Sequence, residues 1–165
     1  MVHFAGTCKD EEGTLAYTET DKDDNREKIK FCDIAWNRPT ADERSKQCGD
    51  FDAFPSTKMD TFSRVALYEM THYSSVGPDS GLGEQIKDVS NADGFRAFDP
   101  LRVYGLIDPK QDDNEAVAEI NADSYAWMSL DAWLSRRCAD NPNKPDAFFT
   151  KNPPAYDPED EGDDY

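Results

Sequence analysis

The sequence predicts an α+β domain, and three observations predict it. Two short stretches read as strands, two longer ones carry apolar residues at helical spacing, and Gly, Pro and charge separate them. Residues 1–13 are polar and read as an arm or edge strand. Thr14-Leu15-Ala16-Tyr17-Thr18 is the first strand. Asp21 to Glu27 is a charged turn. Ile29-Lys30-Phe31-Cys32-Asp33-Ile34 alternates apolar and polar residues, as a half-buried strand does. Residues 37–56 carry Pro39, Gly49 and Pro55 with few clustered apolar groups, and read as a loop. A helix follows, capped by Ser56, Thr57 or Asp60 and running to about Tyr73, with Phe62, Val65, Ala66, Glu69, Met70 and Tyr73 in helical phase. Gly77, Pro78, Gly81 and Gly83 end it. Residues 84–111 look irregular, with a short strand at Arg102-Val103-Tyr104. A second helix is predicted from Asn114 to Arg137, with Val117, Ile120, Tyr125, Trp127, Met128 and Leu134 on a broad apolar face. Trp36, Trp127 and Trp133 are expected in the core or a groove wall.

Composition narrows the function classes. At 165 residues the chain fits one domain, placed at residues 1–150, with a disordered acidic tail at 151–165. Net charge is −17, from 35 acids against 18 bases. That argues against nucleic acid and anionic membrane as partners, since both need a cationic face. Lys151 is the last base, and Asp157, Glu159, Asp160, Glu161, Asp163 and Asp164 follow it. No apolar run approaches the roughly 20 residues that span a bilayer. Met1-Val2-His3 leads into a polar segment without the pattern of a signal peptide.

Cys8, Cys32, Cys48 and Cys138 include no Cys-x-x-Cys pair, which argues against a zinc knuckle. Two disulfides in an extracellular monomer fit better. The expected pairing is Cys32–Cys48, closing a polar loop, with Cys8–Cys138 tying the two ends together.

The chemistry concentrates in Tyr68-Glu69-Met70-Thr71-His72. It reads as the zinc-protease helix His-Glu-x-x-His with tyrosine at the first position. Residues four apart share a helix face, so Tyr68 and His72 point the same way with Glu69 beside them. An imidazole binds zinc directly, and a carboxylate can take a proton from metal-bound water. A phenol ligates only as phenolate, and its free pKa is about 10. Glu-x-x-His alone is common on ordinary helices, so its neighbours decide.

Those neighbours are Val103-Tyr104-Gly105 and Asn121-Ala122-Asp123-Ser124-Tyr125-Ala126-Trp127. With Leu67–His72 they resemble the aspzincin metallo-endopeptidases, the deuterolysin and lysine-specific endopeptidase group, and especially its secreted fungal members. The resemblance covers roughly residues 30–138. It implies a zincin-like α+β fold, with an active-site helix beside a small twisted sheet. It also implies a zinc cofactor, a polypeptide substrate and an extracellular setting. The family's two helix histidines fall on Tyr68 and His72, and its catalytic glutamate falls on Glu69. Tyr104 takes the position of the tyrosine that helps stabilise the oxyanion. Asp123 matches part of the acidic pocket of members that cut at lysine, and a structural role capping or bonding the first helix is an equal alternative.

The sequence departs from the pattern twice. Tyr68 replaces a histidine, and Leu101 stands three residues before Tyr104, where the third zinc ligand is an aspartate. Asp99, Asp88 and Asp93 are the substitutes, with Asp88 at a spacing like that of divergent fungal members. His72 and one aspartate make two ligands, while catalytic zinc usually has three from protein. A third needs the Tyr68 phenolate, another carboxylate or His3. The expectations are thus a secreted zinc endopeptidase, a catalytically degenerate relative binding a peptide, protein or metal, or a stable extracellular domain whose tail acts. No Gly-x-Ser-x-Gly elbow, calcium loop or phosphate-binding glycine loop competes.

Overall fold

A β-hairpin opens the structure, a computed structural model that describes residue 8 and residues 13–90, 94, 96–106 and 115–139. β1 (Ala16–Thr20) pairs antiparallel with β2 (Glu27–Phe31), with Thr18 opposite Ile29 and Glu19 opposite Lys28. Asn25 takes a left-handed φ of 55° at the turn, a conformation asparagine tolerates. Asp21 accepts from the Asp23 amide at 2.8 Å and pairs with Lys28. These contacts lengthen the second strand backward to Glu27. Its end comes earlier than expected, because Asp33–Asn37 winds into a 3-10 helix.

Residues 37–56 are not the expected loop. α1 (Ala41–Arg44) is closed by a capping box in which Thr40 accepts from the Glu43 amide and Glu43 reaches back to the Thr40 amide. A 3-10 segment, Ser45–Asp50, continues from it and buries Cys48. Thr-x-x-Glu is the local signal that overrides the scarcity of apolar residues.

α2 (Phe62–Thr71) is the first long helix. Its N-cap is Thr61, whose hydroxyl accepts from the Arg64 amide at 3.2 Å. Residues Thr57–Met59 form a separate 3-10 turn instead of the helix start. α3 (Val76–Asp79) follows the turn at His72. Gly77 is required there by space: a Cβ would lie 2.0 Å from the Glu84 carbonyl oxygen. That close approach folds residues 84–88 back toward α2.

The strand expected at residues 102–104 is instead helical. α4 (Pro100–Gly105) starts with proline in its first turn, and Asp99 caps it by accepting from the Arg102 amide at 2.9 Å. The second long helix is also broken. α5 (Glu115–Ala118) stops and α6 (Ala122–Cys138) starts afresh. The Lys87 backbone occupies the gap, donating to Ile120 at 2.9 Å and accepting from Ala122 at 3.0 Å. Asn121 accordingly takes extended backbone angles.

α2 packs on α6 and on β1. The core holds Cys48, Phe51, Met59, Trp127, Leu130, Leu134 and Cys138, with Trp133 partly buried against it. Trp36 is 65% exposed and stacks on Phe62 at 4.8 Å. The architecture is α+β, with two strands among the described residues. No helix among those residues is long and apolar enough to cross a membrane.

Two disulfides form, but not in the expected pairing. Cys8 joins Cys32, and Cys48 joins Cys138, with Cα atoms 5.4 and 5.7 Å apart. Cys48 and Cys138 sit together in the core where the 3-10 segment meets the end of α6, so Cys48 is not available to Cys32. The acidic tail at 151–165, Asp93, His3 and most of the N-terminal arm lie outside the described residues.

Candidate functional site

The last turn of α2 carries Tyr68, Glu69 and the C-cap residue His72. Helical spacing sets the Tyr68 and His72 rings edge to face, with centroids 4.8 Å apart. Both side chains reach the same atom on another segment. Tyr68 Oη donates to Asp88 Oδ1 at 2.5 Å, and His72 Nε2 lies 3.2 Å from that oxygen. His72 Nδ1 faces the Ile86 carbonyl at 3.4 Å, and Gln85 donates to the His72 carbonyl at 2.6 Å. With Nδ1–H directed at the backbone carbonyl, Nε2 meets the carboxylate as an N–H donor in the imidazolium, or would meet a metal as a lone pair in the neutral ring.

Asp88 is held by its neighbours. Lys87 is bonded through its backbone to both ends of the gap between α5 and α6. The Val89 amide donates to Asn121 Oδ1 at 3.4 Å, and Asn121 Nδ2 donates to Ala97 O at 3.3 Å and Ser124 Oγ at 3.1 Å. Asn121 is buried, so its amide satisfies three chain segments in a dry setting. This explains the Asn-Ala-Asp-Ser-Tyr stretch physically. Asn121 pins the Asp88 segment, and Ala122 beside it is fully buried. Tyr125 Oη donates to the Glu119 carbonyl at 2.6 Å, closing the turn before α6.

Asp123 is fully buried and faces α2. Its Oδ1 accepts from Arg64 Nη1 at 3.0 Å and its Oδ2 from Trp127 Nε1 at 3.0 Å. Arg64 also grips Asp60, through Nε at 2.8 Å and Nη2 at 3.2 Å. Arg64 thus ties α2 to α6. Burial pushes the Asp123 carboxyl up to about 7 even though Arg64 pulls against it, and the two carboxylates hold the Arg64 guanidinium above its ordinary value against the cost of burial.

Electrostatics at the site follow from burial and proximity. Glu69 is 3% exposed, and burial raises its pKa against a hydrogen bond from Thr18 and the charge of His72. For His72, burial opposes the charged form, but the bond to Asp88 outweighs it and the pKa rises. For Asp88, burial raises and the His72 bond and charge lower; the net is a carboxyl held below its ordinary range. Tyr68 is pushed well above its ordinary value by burial and by the Asp88 charge. Its proton therefore stays on unless a cation arrives.

The structure brings four predicted residues together: Tyr68, Glu69, His72 and Asp88. Asp99 caps α4, and its Oδ2 lies 3.3 Å from Arg102 Nε. Tyr104 lies in α4 and is half-buried. Asp123 faces Arg64 rather than Asp88. Asp93 and His3 are outside the described residues. Sequence reasoning did not find Thr18, whose hydroxyl lies 2.8 Å from Glu69 Oε2, nor Arg64 or Asn121 as structural centres. Thr18 and Glu69 are 51 residues apart, and no local spacing signals such a contact.

A zinc ion tests the donor set. Among the described residues no three His, Cys, Asp or Glu side chains form a metal-binding group, and the further oxygen beside His72 and Asp88 is that of Tyr68. The 3.2 Å between His72 Nε2 and Asp88 Oδ1 suits two donors sharing one ion at about 2.0–2.2 Å each. A dication replacing the Tyr68 proton would complete an N,O,O set, and the Ile86 carbonyl already orients the imidazole for it. His72 and Asp88 would be the zinc donors, with Tyr68 joining them only after losing its proton and moving away from Asp88. The chain matches no protein-family model, no curated protein and no solved structure.

Proposed function

We propose that this chain is an extracellular, zincin-like metallo-endopeptidase domain of aspzincin type, with Tyr68, His72 and Asp88 holding zinc and Glu69 as general base. The observation that carries it is the convergence of Tyr68 and His72 on one oxygen of Asp88, with Glu69 on the same turn of α2. Bound zinc would polarise a peptide carbonyl and acidify a water. Glu69, whose pKa burial raises, would accept that water's proton and pass it to the leaving amine. The Asp88 and His72 side chains keep their separation through the backbone bonds at Lys87 and Ile86. Tyr104 is the family-derived oxyanion donor, and Asp99 stays with α4 as its cap.

A second reading has its own observation. Tyr68, Asp88 and His72 already satisfy one another's hydrogen bonds, and Tyr68 is strongly biased toward its neutral form. That favours a catalytically degenerate relative that binds a peptide or protein without zinc. Zinc content and cleavage of an unstructured polypeptide separate the two. The peptidase reading expects about one zinc per chain and cleavage that Glu69→Gln reduces by roughly 10²–10⁴-fold with zinc retained. Zinc-free, inactive protein that gains both properties in Tyr68→His supports the degenerate reading. Protein that gains neither sinks the zinc-site assignment.

A further inference from the structure

We infer that Thr18 of β1 is the positioning residue for Glu69, an assignment that rests on the base role proposed above. Thr18 sits at the centre of β1, opposite Ile29. Strand alternation turns its neighbours Tyr17 and Glu19 to the other face, where Lys30 lies over the Tyr17 ring and pairs with Glu19. The Thr18 side chain points instead at α2. Its hydroxyl lies 2.8 Å from Glu69 Oε2 and 2.9 Å from the Glu69 carbonyl oxygen.

One hydroxyl carries one proton, shared here between the glutamate's own backbone and its carboxylate. That geometry fixes the side chain as well as contacting it, because both acceptors belong to the same residue. It also distinguishes the two carboxylate oxygens. Oε2 is held by Thr18, and among the described residues Oε1 receives no hydrogen bond. Oε1 is then the oxygen left to accept a proton in the role proposed for Glu69. The contact is also the polar link by which the hairpin reaches the active-site turn, since β1 packs directly on α2. A general base acts only from a held position, and a displacement near 1 Å can cost on the order of 100-fold in rate. Threonine suits this place because it favours a strand and presents a short, stiff hydroxyl.

Thr18→Val removes the hydroxyl at nearly constant shape, and Thr18→Ser keeps it. Thr18→Ala replaces the valine variant if valine crowds α2. The first readout needs no activity: the Glu69 side-chain carboxyl resonance in zinc-free protein, identified by its loss in Glu69→Gln. It should move in Thr18→Val and return close to its original position in Thr18→Ser. In zinc-loaded protein, kcat on an unstructured peptide should fall roughly 10–100-fold in Thr18→Val at unchanged KM and zinc content, with recovery in Thr18→Ser. An unmoved resonance, or an unchanged kcat in Thr18→Val, overturns the inference. If wild-type protein cleaves nothing, the peptidase reading fails, and the carboxyl resonance still decides whether Thr18 holds Glu69.

Discussion

At Tyr68 a phenol stands where the zinc-protease pattern has an imidazole, and the two groups differ in what they ask of their surroundings. An imidazole offers a neutral lone pair near pH 7; a buried phenol must first lose a proton that Asp88 makes harder to lose. His72 depends on the same carboxylate in the opposite sense. Burial disfavours its charged form, and Asp88 restores it. Asp88→Asn removes that charge and leaves burial opposed only by Glu69 and the Ile86 carbonyl, so His72 should titrate at a lower pH than in wild-type protein. An imidazole proton NMR titration of wild-type and Asp88→Asn protein checks this; equal titration curves would exclude the Asp88–His72 contact. Glu69 and His72 were legible in the sequence because helical spacing is local. Asp88 was one of three aspartates that spacing could not separate, since its place depends on Gly77 and Asn121 bringing two distant segments together.

Between elements, the α2–α6 contact turns on Arg64. One guanidinium satisfies Asp60 one turn before it and Asp123 on the other helix, and its face lies 4.9 Å from the Trp127 ring. Arg64→Leu would leave buried Asp123 without its cation and Asp60 with Arg38 alone, at 3.5 Å. Breaking a buried pair in this way costs about 3–5 kcal/mol, and urea unfolding should show a loss of that order. A loss below about 1 kcal/mol would mean that solvent reaches Asp60 and Asp123 freely. Sequence patterning found α2 from its apolar phase, and α6 from the density of its apolar residues between Ala122 and Leu134. It missed α4, where Asp99 and Pro100 make a helix start that Arg102-Val103-Tyr104 disguises as a strand. It also ran α5 and α6 together, because the break is imposed by the Lys87 backbone and not by a Gly or Pro.

Over the whole molecule, the ionisable groups give stability a direction with pH. Burial lifts Asp123 from 3.8 to about 7, and Glu69 is raised for the same first reason. A group raised on folding contributes stability that is complete below its unfolded pKa and is lost as pH rises through its folded pKa. For Asp123 the loss runs from about pH 4 to about 7. His72 is raised too, so its contribution is also lost on the alkaline side. Asp88 is lowered, so its contribution holds above the ordinary carboxylate range and disappears in stronger acid. Self-repulsion of the −17 chain eases in the same acid direction, toward its isoelectric point near 4.3. The urea midpoint should therefore be higher at about pH 5 than at about pH 8, by on the order of a few kcal/mol in unfolding free energy. A higher midpoint at pH 8 would show that Asp123 is ionised at neutral pH and that Arg64 has overcome its burial.

By itself the sequence determined the α+β class, the two long helices and the phase that sets Tyr68, Glu69 and His72 on one turn. These follow from local composition and spacing, which act over a few residues. Tertiary structure decided which cysteines pair, which aspartate meets His72, and that Asp123 faces Arg64. It also placed a strand hydroxyl beside Glu69 from 51 residues away. These contacts join segments distant in the chain. They are selected by burial and hydrogen bonding among packed elements, and local patterning carries no record of that selection.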